Sequence, residues 1–234
     1  MGFLFDSLYS AFLLLVEGDP ELFAIVAVSL KVSAASTIVA GIVGVPAGFL
    51  IAFNRFSGKR FLITCLNTLL ALPTVVIGLV VYSFISRRGL FGPLELLYTQ
   101  KAIIIGQVIL IIPVVTTLTI AAVSRIDKRY RTTAMTLGGD GLQTALLVCR
   151  EARYGITAAL IAAFGRVIAE VGISMMLGGN AKGFTRTMTT AMALEYDKGE
   201  FILAVALGLV LLSCAFTINI LFHFFQGRGG NDGL

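Results

Sequence analysis

The residues of this chain whose types could bind a ligand gather in a short polar stretch after residue 178. The stretch holds two cations and four hydroxyls, namely Lys182, Thr185, Arg186, Thr187, Thr189 and Thr190. Guanidinium and ammonium groups attract negative charge, and hydroxyls add hydrogen-bond donors, so this set suits an oxyanion. A solvated loop without a ligand is the alternative interpretation of the same residues.

A second candidate is a pair of opposite charges inside an apolar run. Arg166 and Glu170 are four residues apart in the sequence FGRVIAEVG, a spacing that puts both on one face of a helix. Each charge would cost roughly 2.5–3.5 kcal/mol at the centre of a membrane helix, so we expect them to pair and to face the interior of a bundle. The pair is either an element of a pore or gate, or a structural ion pair that fixes helix register.

A polar segment from Arg131 to Ile156, called the elbow below, interrupts the apolar sequence. Apolar and small residues recur in it at helical spacing, which predicts helix on both sides of a glycine-rich centre. Each glycine disfavours a helix interior by about 1 kcal/mol, so we expect a bend there, and Asp140 followed by Gln143 predicts a cap that starts a second helix. Two short helices outside the membrane would offer a surface to a soluble partner, whereas an ordinary amphipathic interfacial loop is the alternative.

The composition shows which elements must position these residues. Of 234 residues, 57% are hydrophobic and 13% are charged, and the mean hydropathy is +0.94. Soluble domains carry about 25% charged residues, so the solvent of this chain must be lipid, in which long apolar runs satisfy their backbone as helices. The sequence predicts an all-α polytopic membrane protein with five transmembrane helices, near residues 22–53, 61–85, 102–123, 156–177 and 201–225.

The connecting segments predict how these helices are oriented. Ten lysines and arginines lie in the segments after the first, third and fifth spans, and six lie in the other two loops. The positive-inside rule then places the N-terminal segment 1–21 outside or at the interface, and the loop 124–155 and the tail 226–234 in the cytoplasm. Because the basic residues lie at helix ends, the pI near 9.3 does not indicate binding of nucleic acid.

Prolines and small residues predict how the helices bend and pack. Pro46, Pro73 and Pro113 fall within apolar runs, where each removes a backbone hydrogen bond and favours a kink. Gly44 and Gly48 lie on one side of the first span and would let a neighbouring helix approach closely.

The elbow resembles the cytoplasmic coupling loop of ABC importer permeases. The family pattern is Glu-Ala-Ala, three residues, Gly, then nine residues before an apolar-x-Leu-Pro motif. Thr132, Thr133 and Ala134 occupy its first three places and Gly138 its glycine, whereas Arg150-Glu151 replaces Leu-Pro. The missing glutamate and proline are departures from the pattern.

Further motifs extend this resemblance over about residues 22–225. In order they resemble the permeases of tungstate, molybdate and sulfate importers, at 56–60 (FSGKR), 72–78 (LPTVVIG), 88–94 (RGLFGPL), 166–172, 178–180 (GGN) and 185–187 (TRT). The Met-Thr-Thr-Ala sequence at 188–191 leans towards the tungstate-specific group.

The resemblance implies a type I ABC importer transmembrane domain (MetI-like) in a bacterial or archaeal plasma membrane. It implies a homodimer of permease subunits, an extracytoplasmic oxyanion-binding protein, and a separate ATPase subunit that binds ATP and Mg, so that this chain needs no cofactor and is not itself an enzyme. The cargo would be tungstate, with molybdate and sulfate as alternatives. An ion-coupled secondary transporter, which usually shows internal repeats, and a channel are rival classes.

The resemblance also implies roles for individual residues. Contact with the ATPase is expected of Thr132, Thr133, Ala134, Leu137, Gly138, Gly139 and Asp140. A translocation path or gate is expected to include Pro73, Thr74, Arg166, Glu170, Asn180, Thr185, Arg186 and Thr187.

Overall fold

A computed structural model describes Tyr9, Leu13 and residues 19–229 of the chain, with side chains as far as residue 220. Within these residues the fold is all-α and contains no strand. The helices in chain order are α1 (Pro20–Phe53), α2 (Lys59–Leu70), α3 (Thr74–Ile85), α4 (Gln100–Ser124), α5 (Lys128–Thr136), α6 (Gly141–Glu151), α7 (Arg153–Ile168), α8 (Gly172–Gly178), α9 (Met188–Lys198) and α10 (Phe201–Gly229), with a short 3-10 helix at Gly92–Leu94. The predicted segments 1–21 and 226–234 lie largely outside the described residues.

Three of these helices are long and apolar enough to cross a membrane, and two bent pairs raise the number to five. The three are α1, α4 and α10. The pair α2 and α3 bends by 95°, and the pair α7 and α8 bends by 61°. The predicted spans 61–85 and 156–177 are therefore each two helices rather than one.

The first bend has a cause that the sequence contains. Pro73 lacks the N–H that would continue α2, and its ring disfavours helical geometry at the preceding residue. Pro73 accordingly serves as the N-cap of α3 with extended backbone. Pro46 and Pro113 differ, because they lie inside the uninterrupted helices α1 and α4.

The core of the bundle is the contact of α1 with α4. A Cβ atom on Gly48 would lie 2.6 Å from the carbonyl oxygen of Thr116, so the two backbones touch there, as the small residues predicted. Ser36 donates a 2.8 Å hydrogen bond to Gln107 across the same contact, which satisfies both polar groups without water. Since residues 36–48 of α1 meet residues 107–119 of α4 in ascending order, the two helices run in the same direction.

The direction of α1 and α4 defines two ends of the bundle. Both helices end beside α5 and α6, at what we call the elbow end. Both begin at the opposite end, where the side chain of Gln100 donates to the carbonyl of Phe184. The elbow and the loop around Phe184 therefore lie at opposite ends of the molecule.

Candidate coupling elbow and translocation residues

The elbow is two helices joined by a glycine-capped turn. Helix α5 ends at Thr136, and Gly138 follows with a φ of +84°, a conformation that favours glycine. The N–H of Gly138 donates to the carbonyl of Met135 at 3.1 Å, and that of Gly139 to Ala134 at 2.9 Å. This is a Schellman motif, which satisfies the last carbonyls of α5 and turns the chain.

Helix α6 then begins at a capping box, as the sequence predicted. The carboxylate of Asp140 accepts from the N–H of Gln143 at 2.7 Å, and the side chain of Gln143 accepts from the N–H of Asp140 at 3.2 Å. The reciprocal bonds fix where α6 starts and therefore the direction in which it leaves the turn.

The tip of the elbow presents an apolar surface. Leu137 is 83% exposed and Leu142 is 69% exposed, on a segment that lies outside the helices long enough to cross a membrane. Met135 and Leu146 are exposed beside them, as are Thr132 and Thr133, whereas Ala134 is half-buried. A clustered apolar patch on a polar segment indicates a protein interaction surface.

Two cations hold the end of α1, one from the base of the elbow and one from the start of α2. The guanidinium of Arg131 donates to the carbonyl of Phe53 at 3.0 Å and stacks over the Phe53 ring, 4.4 Å from its centroid. The ammonium of Lys59 donates to the carbonyls of Ala52 and Asn54 at 2.9 and 3.1 Å. Both side chains thus satisfy carbonyls that the end of α1 leaves unpaired.

This attachment was not found by sequence reasoning, which treated both cations only as topology signals. Arg131 and Phe53 are 78 residues apart, and no local pattern links them. An apolar cluster of Val123, Val148 and Ala152 also joins α4, α6 and the start of α7. The elbow therefore rests on the ends of α1, α4 and α7 together.

The expected ion pair of Arg166 with Glu170 is wrong. Helix α7 ends at Ile168, so Glu170 lies in the bend before α8 and no longer shares a helix face with Arg166. Glu170 is buried and accepts a 3.2 Å hydrogen bond from the N–H of Ile173, whereas Arg166 is exposed. Among the ion pairs of the described residues none joins the two, and Glu170 instead satisfies the start of α8.

The two bends lie against each other. A Cβ atom built on Gly172 would be 3.3 Å from both the Thr74 hydroxyl and the Glu170 carboxylate, so these side chains flank the same glycine. Pro73 and Thr74, at the start of α3, therefore lie beside the start of α8. The structure brings together three of the predicted path residues, Pro73, Thr74 and Glu170, where both spans are interrupted.

The threonines of the polar stretch form hydrogen bonds within the fold rather than an open oxyanion cradle. Thr185 is fully buried, donates to the carbonyl of Gly178 at 2.6 Å, and accepts from the N–H of Ala181. Thr187 and Thr190 form the capping box of α9, and Thr189 donates to the carbonyl of Glu170 at 2.9 Å. These hydroxyls fix the loop between α8 and α9 and tie it to the bend.

The two cations of the same stretch pair with an acidic residue from the start of α1. Glu21 lies 2.7 Å from Lys182 and 3.4 Å from Arg186, whose side chain is only 11% exposed. Within the described part of the chain, the Nε of Arg186 and the Oδ1 of the neighbouring Asn180 are buried without a hydrogen-bond partner. The loop thus holds unused polar atoms close to two cations that share a single carboxylate.

A polar cleft of about 640 Å³ lies nearby, after α3. Arg87, Arg88 and Glu95 line it together with the phenols of Tyr82 and Tyr98. Charge repulsion from Tyr82 and a hydrogen bond with it raise the pKa of Tyr98. Sequence reasoning missed this cleft, because Arg87 was considered only as a loop charge and Arg88 only as a loop charge and as part of the motif at 88–94.

Membrane-length helices, two bent spans and an exposed apolar elbow define an integral membrane protein with a projection outside its helix bundle. Residues 44–228 match the model of the family described as binding-protein-dependent transport system inner membrane component. The chain belongs to this family.

Individual relatives agree with the family. The chain is 41% identical over 212 residues to the probable anion ABC transporter permease protein of Haloferax volcanii, covering 88% of this chain and 91% of that protein. It is 36% identical to the tungstate uptake system permease protein TupB of Peptoclostridium acidaminophilum, covering 97% and 99%. The fold matches a crystal structure of a bacterial ABC transporter involved in alginate import with a TM-score of 0.75 at 15% identity, covering 93% of this chain and 82% of that one.

The contact of Glu21 with Arg186 should contribute to stability more than that of Glu21 with Lys182. Removing the carboxylate in Glu21→Gln leaves a largely buried guanidinium without its counter-charge, and we expect a loss of roughly 1–3 kcal/mol. Lys182→Gln removes an exposed cation and should cost less than about 0.5 kcal/mol. Thermal unfolding of both variants in detergent, followed by circular dichroism, measures the difference, and equal shifts would contradict the assignment.

Proposed function

We propose that the chain is the membrane-spanning permease subunit of an ABC importer for a tetrahedral oxyanion, with tungstate as the cargo and molybdate or sulfate as the alternatives. The observation that carries the proposal is the elbow, a rigid and exposed apolar projection anchored on the ends of three membrane helices. The relatives named for anions and for tungstate, matched over nearly their whole length, support the choice of cargo.

The subunit converts motion of a partner into motion of its own helices. A separate ATPase subunit, which holds the ATP and Mg, closes on nucleotide and displaces the elbow that sits in its cleft. The expected contact residues are Thr132, Thr133, Ala134, Leu137, Gly138, Gly139 and Asp140. Because α5 is fixed to Phe53 through Arg131, a displaced elbow moves the end of α1 as a rigid body. This chain takes no part in the hydrolysis of ATP.

The remaining partners follow from the surfaces that a single subunit leaves open. Only 11% of the most apolar window of α10 is buried, and every residue of α2 is at least partly exposed. Lipid and a second copy of the chain would cover these faces. An extracytoplasmic binding protein would deliver the oxyanion to the opposite end, with the N-terminus outside and the C-terminus in the cytoplasm, as the distribution of basic residues supports.

The oxyanion would pass close to the paired bends. The interrupted spans expose backbone there that a continuous helix would hide, and such irregular backbone is tolerated in membranes where it is buried in protein or lines a cavity. Pro73, Thr74, Glu170, Asn180, Thr185, Arg186 and Thr187 surround or brace this region, whereas Arg166 lies on the exposed side of α7. Movement of α3 against α8 would open or close this region to the oxyanion.

Cargo identity is tested by the coupling of transport to hydrolysis. With the cognate binding protein and ATPase in proteoliposomes, we expect tungstate to raise the ATPase rate at lower concentration than molybdate, and sulfate to be the weakest. A larger increase of the ATPase rate with sulfate than with tungstate would identify sulfate as the cargo instead. No response to any of the three would contradict an oxyanion importer.

Gly138 should be required for docking of the ATPase. In Gly138→Val a β-branched residue must adopt a φ of +84°, at a cost of roughly 1–2 kcal/mol, so the turn reopens and the patch is displaced. We expect five- to thirtyfold weaker capture of the ATPase by the purified permease, with a matching loss of uptake and unchanged membrane insertion.

The matched control for this variant is Gly141→Ala. Gly141 begins α6, its φ is not positive, and a Cβ atom there would meet open space. ATPase capture should be unchanged in this control. Wild-type capture and uptake in Gly138→Val would count against the elbow as the docking element.

Arg131 should be required for transmission rather than for docking. Arg131→Ala removes both the hydrogen bond and the ring contact to Phe53, while the exposed tip of the elbow stays intact. We expect the ATPase to bind and hydrolyse ATP, with transport per ATP reduced several-fold. Arg129→Ala, two residues away on α5 with a 91% exposed side chain, is the control and should be neutral. Equal transport per ATP in both variants would refute a role for Arg131.

A further inference from the structure

A basic cavity lies at the elbow end of the bundle, and the proposed transport mechanism leaves it without a role. Its volume is about 750 Å³, and it opens between the end of α1, the start of α2, the end of α4 and α5. Four cations line it, namely Arg55, Lys59, Lys128 and Arg131. The one acidic residue in its lining is Asp127, which is engaged as the N-cap of α5 by accepting from the N–H of Arg129.

The four cations divide into two kinds. Lys59 and Arg131 are held at the cavity wall by carbonyls at the end of α1, and no ion pair of the described residues involves either of them. Arg55 and Lys128 have no ion pair and no side-chain hydrogen bond within the described part of the chain, which leaves all their donors available. The cavity therefore combines two fixed and two free cations around one space.

The wall of the cavity also determines what kind of anion fits. The half-buried Phe53 and Ile126 and the exposed Met135 contribute apolar surface to this wall. A small inorganic anion would leave that surface in contact with water, whereas an amphiphile would cover it. Basic pockets between membrane helices at the cytoplasmic side bind anionic lipid headgroups for this reason.

We propose that this cavity binds a phosphate-type anion, supplied by the headgroup of an anionic phospholipid whose acyl chains lie along the apolar wall. The proposal rests on the proposed function only for the orientation that places the elbow end at the cytoplasmic leaflet. Since Arg131, Thr132 and Met135 of α5 form part of the lining, the bound headgroup touches the elbow and stiffens its contact with α1. Membrane lipid charge would then modulate coupling.

The test uses the full chain alone, purified without the ATPase, so that a failure of coupling does not affect it. The permease is extracted from vesicles of equal parts phosphatidylglycerol and phosphatidylcholine, and retained lipids are counted by native mass spectrometry. We expect preferential retention of phosphatidylglycerol by the wild type. Arg55→Gln combined with Lys128→Gln should reduce that preference by about thirtyfold, from the loss of two cations close to the headgroup.

The control removes two charges at the same end but outside the cavity, in Arg125→Gln combined with Arg129→Gln. Retention like the wild type in this control, together with loss in the cavity variant, supports the site. Equal retention in all three proteins, or equal loss in both variants, would overturn it, since general charge at this end would then explain the result. If the double variant does not fold, Arg55→Gln and Lys128→Gln are measured singly against the same control.

A second arm identifies the source of the anion. Excess inorganic phosphate is added to the wild type before lipids are counted. Unchanged retention of phosphatidylglycerol supports the headgroup as the ligand. If phosphate displaces the lipid from the wild type but has no effect on the cavity variant, the lipid assignment is overturned. The ligand of the cavity would then be a soluble oxyanion.

Discussion

The need to satisfy backbone groups wherever a helix stops inside or beside lipid determines most of this structure. A membrane offers no water to the first N–H groups and last carbonyls of a helix, so side chains must supply the partners. Here Lys59 and Arg131 cover the end of α1, Glu170 covers the start of α8, and Thr185 closes the loop after α8. Several charged and hydroxyl side chains that the sequence offered as candidate ligands instead form hydrogen bonds to backbone groups near helix ends.

That constraint explains which features the sequence could predict. The elbow was predictable because its signals are local, with a Schellman glycine at Gly138 and a capping box at Asp140, each acting over three or four residues. The membrane spans and the close approach of α1 to α4 were predictable from apolar runs and small residues. The bend at Pro73 likewise follows from one residue type, although its size of 95° does not.

The same constraint explains what could not be predicted. A spacing of four residues places Arg166 and Glu170 together only while the helix continues, and residues 166–171 contain no proline or glycine that would predict the bend at Glu170. The pairing of Glu21 with Arg186 joins residues 165 apart, and that of Arg131 with Phe53 joins residues 78 apart. One sequence contains the partners of such contacts but not the fold that brings them together.

The long-range contacts also make α1 the element that connects the two ends of the subunit. Its 34 residues rise about 51 Å at 1.5 Å per residue, enough to reach from one side of a bilayer to the other. At its start Glu21 holds the loop that carries Lys182 and Arg186, and at its end Phe53 is held by Arg131 of the elbow. Between these two contacts, the backbone of α1 at Gly48 packs directly against α4, which leaves no room for a side chain. In the proposed mechanism a displacement of the elbow would reach the opposite end through this single uninterrupted helix, and the bent spans α2–α3 and α7–α8 would flex around it.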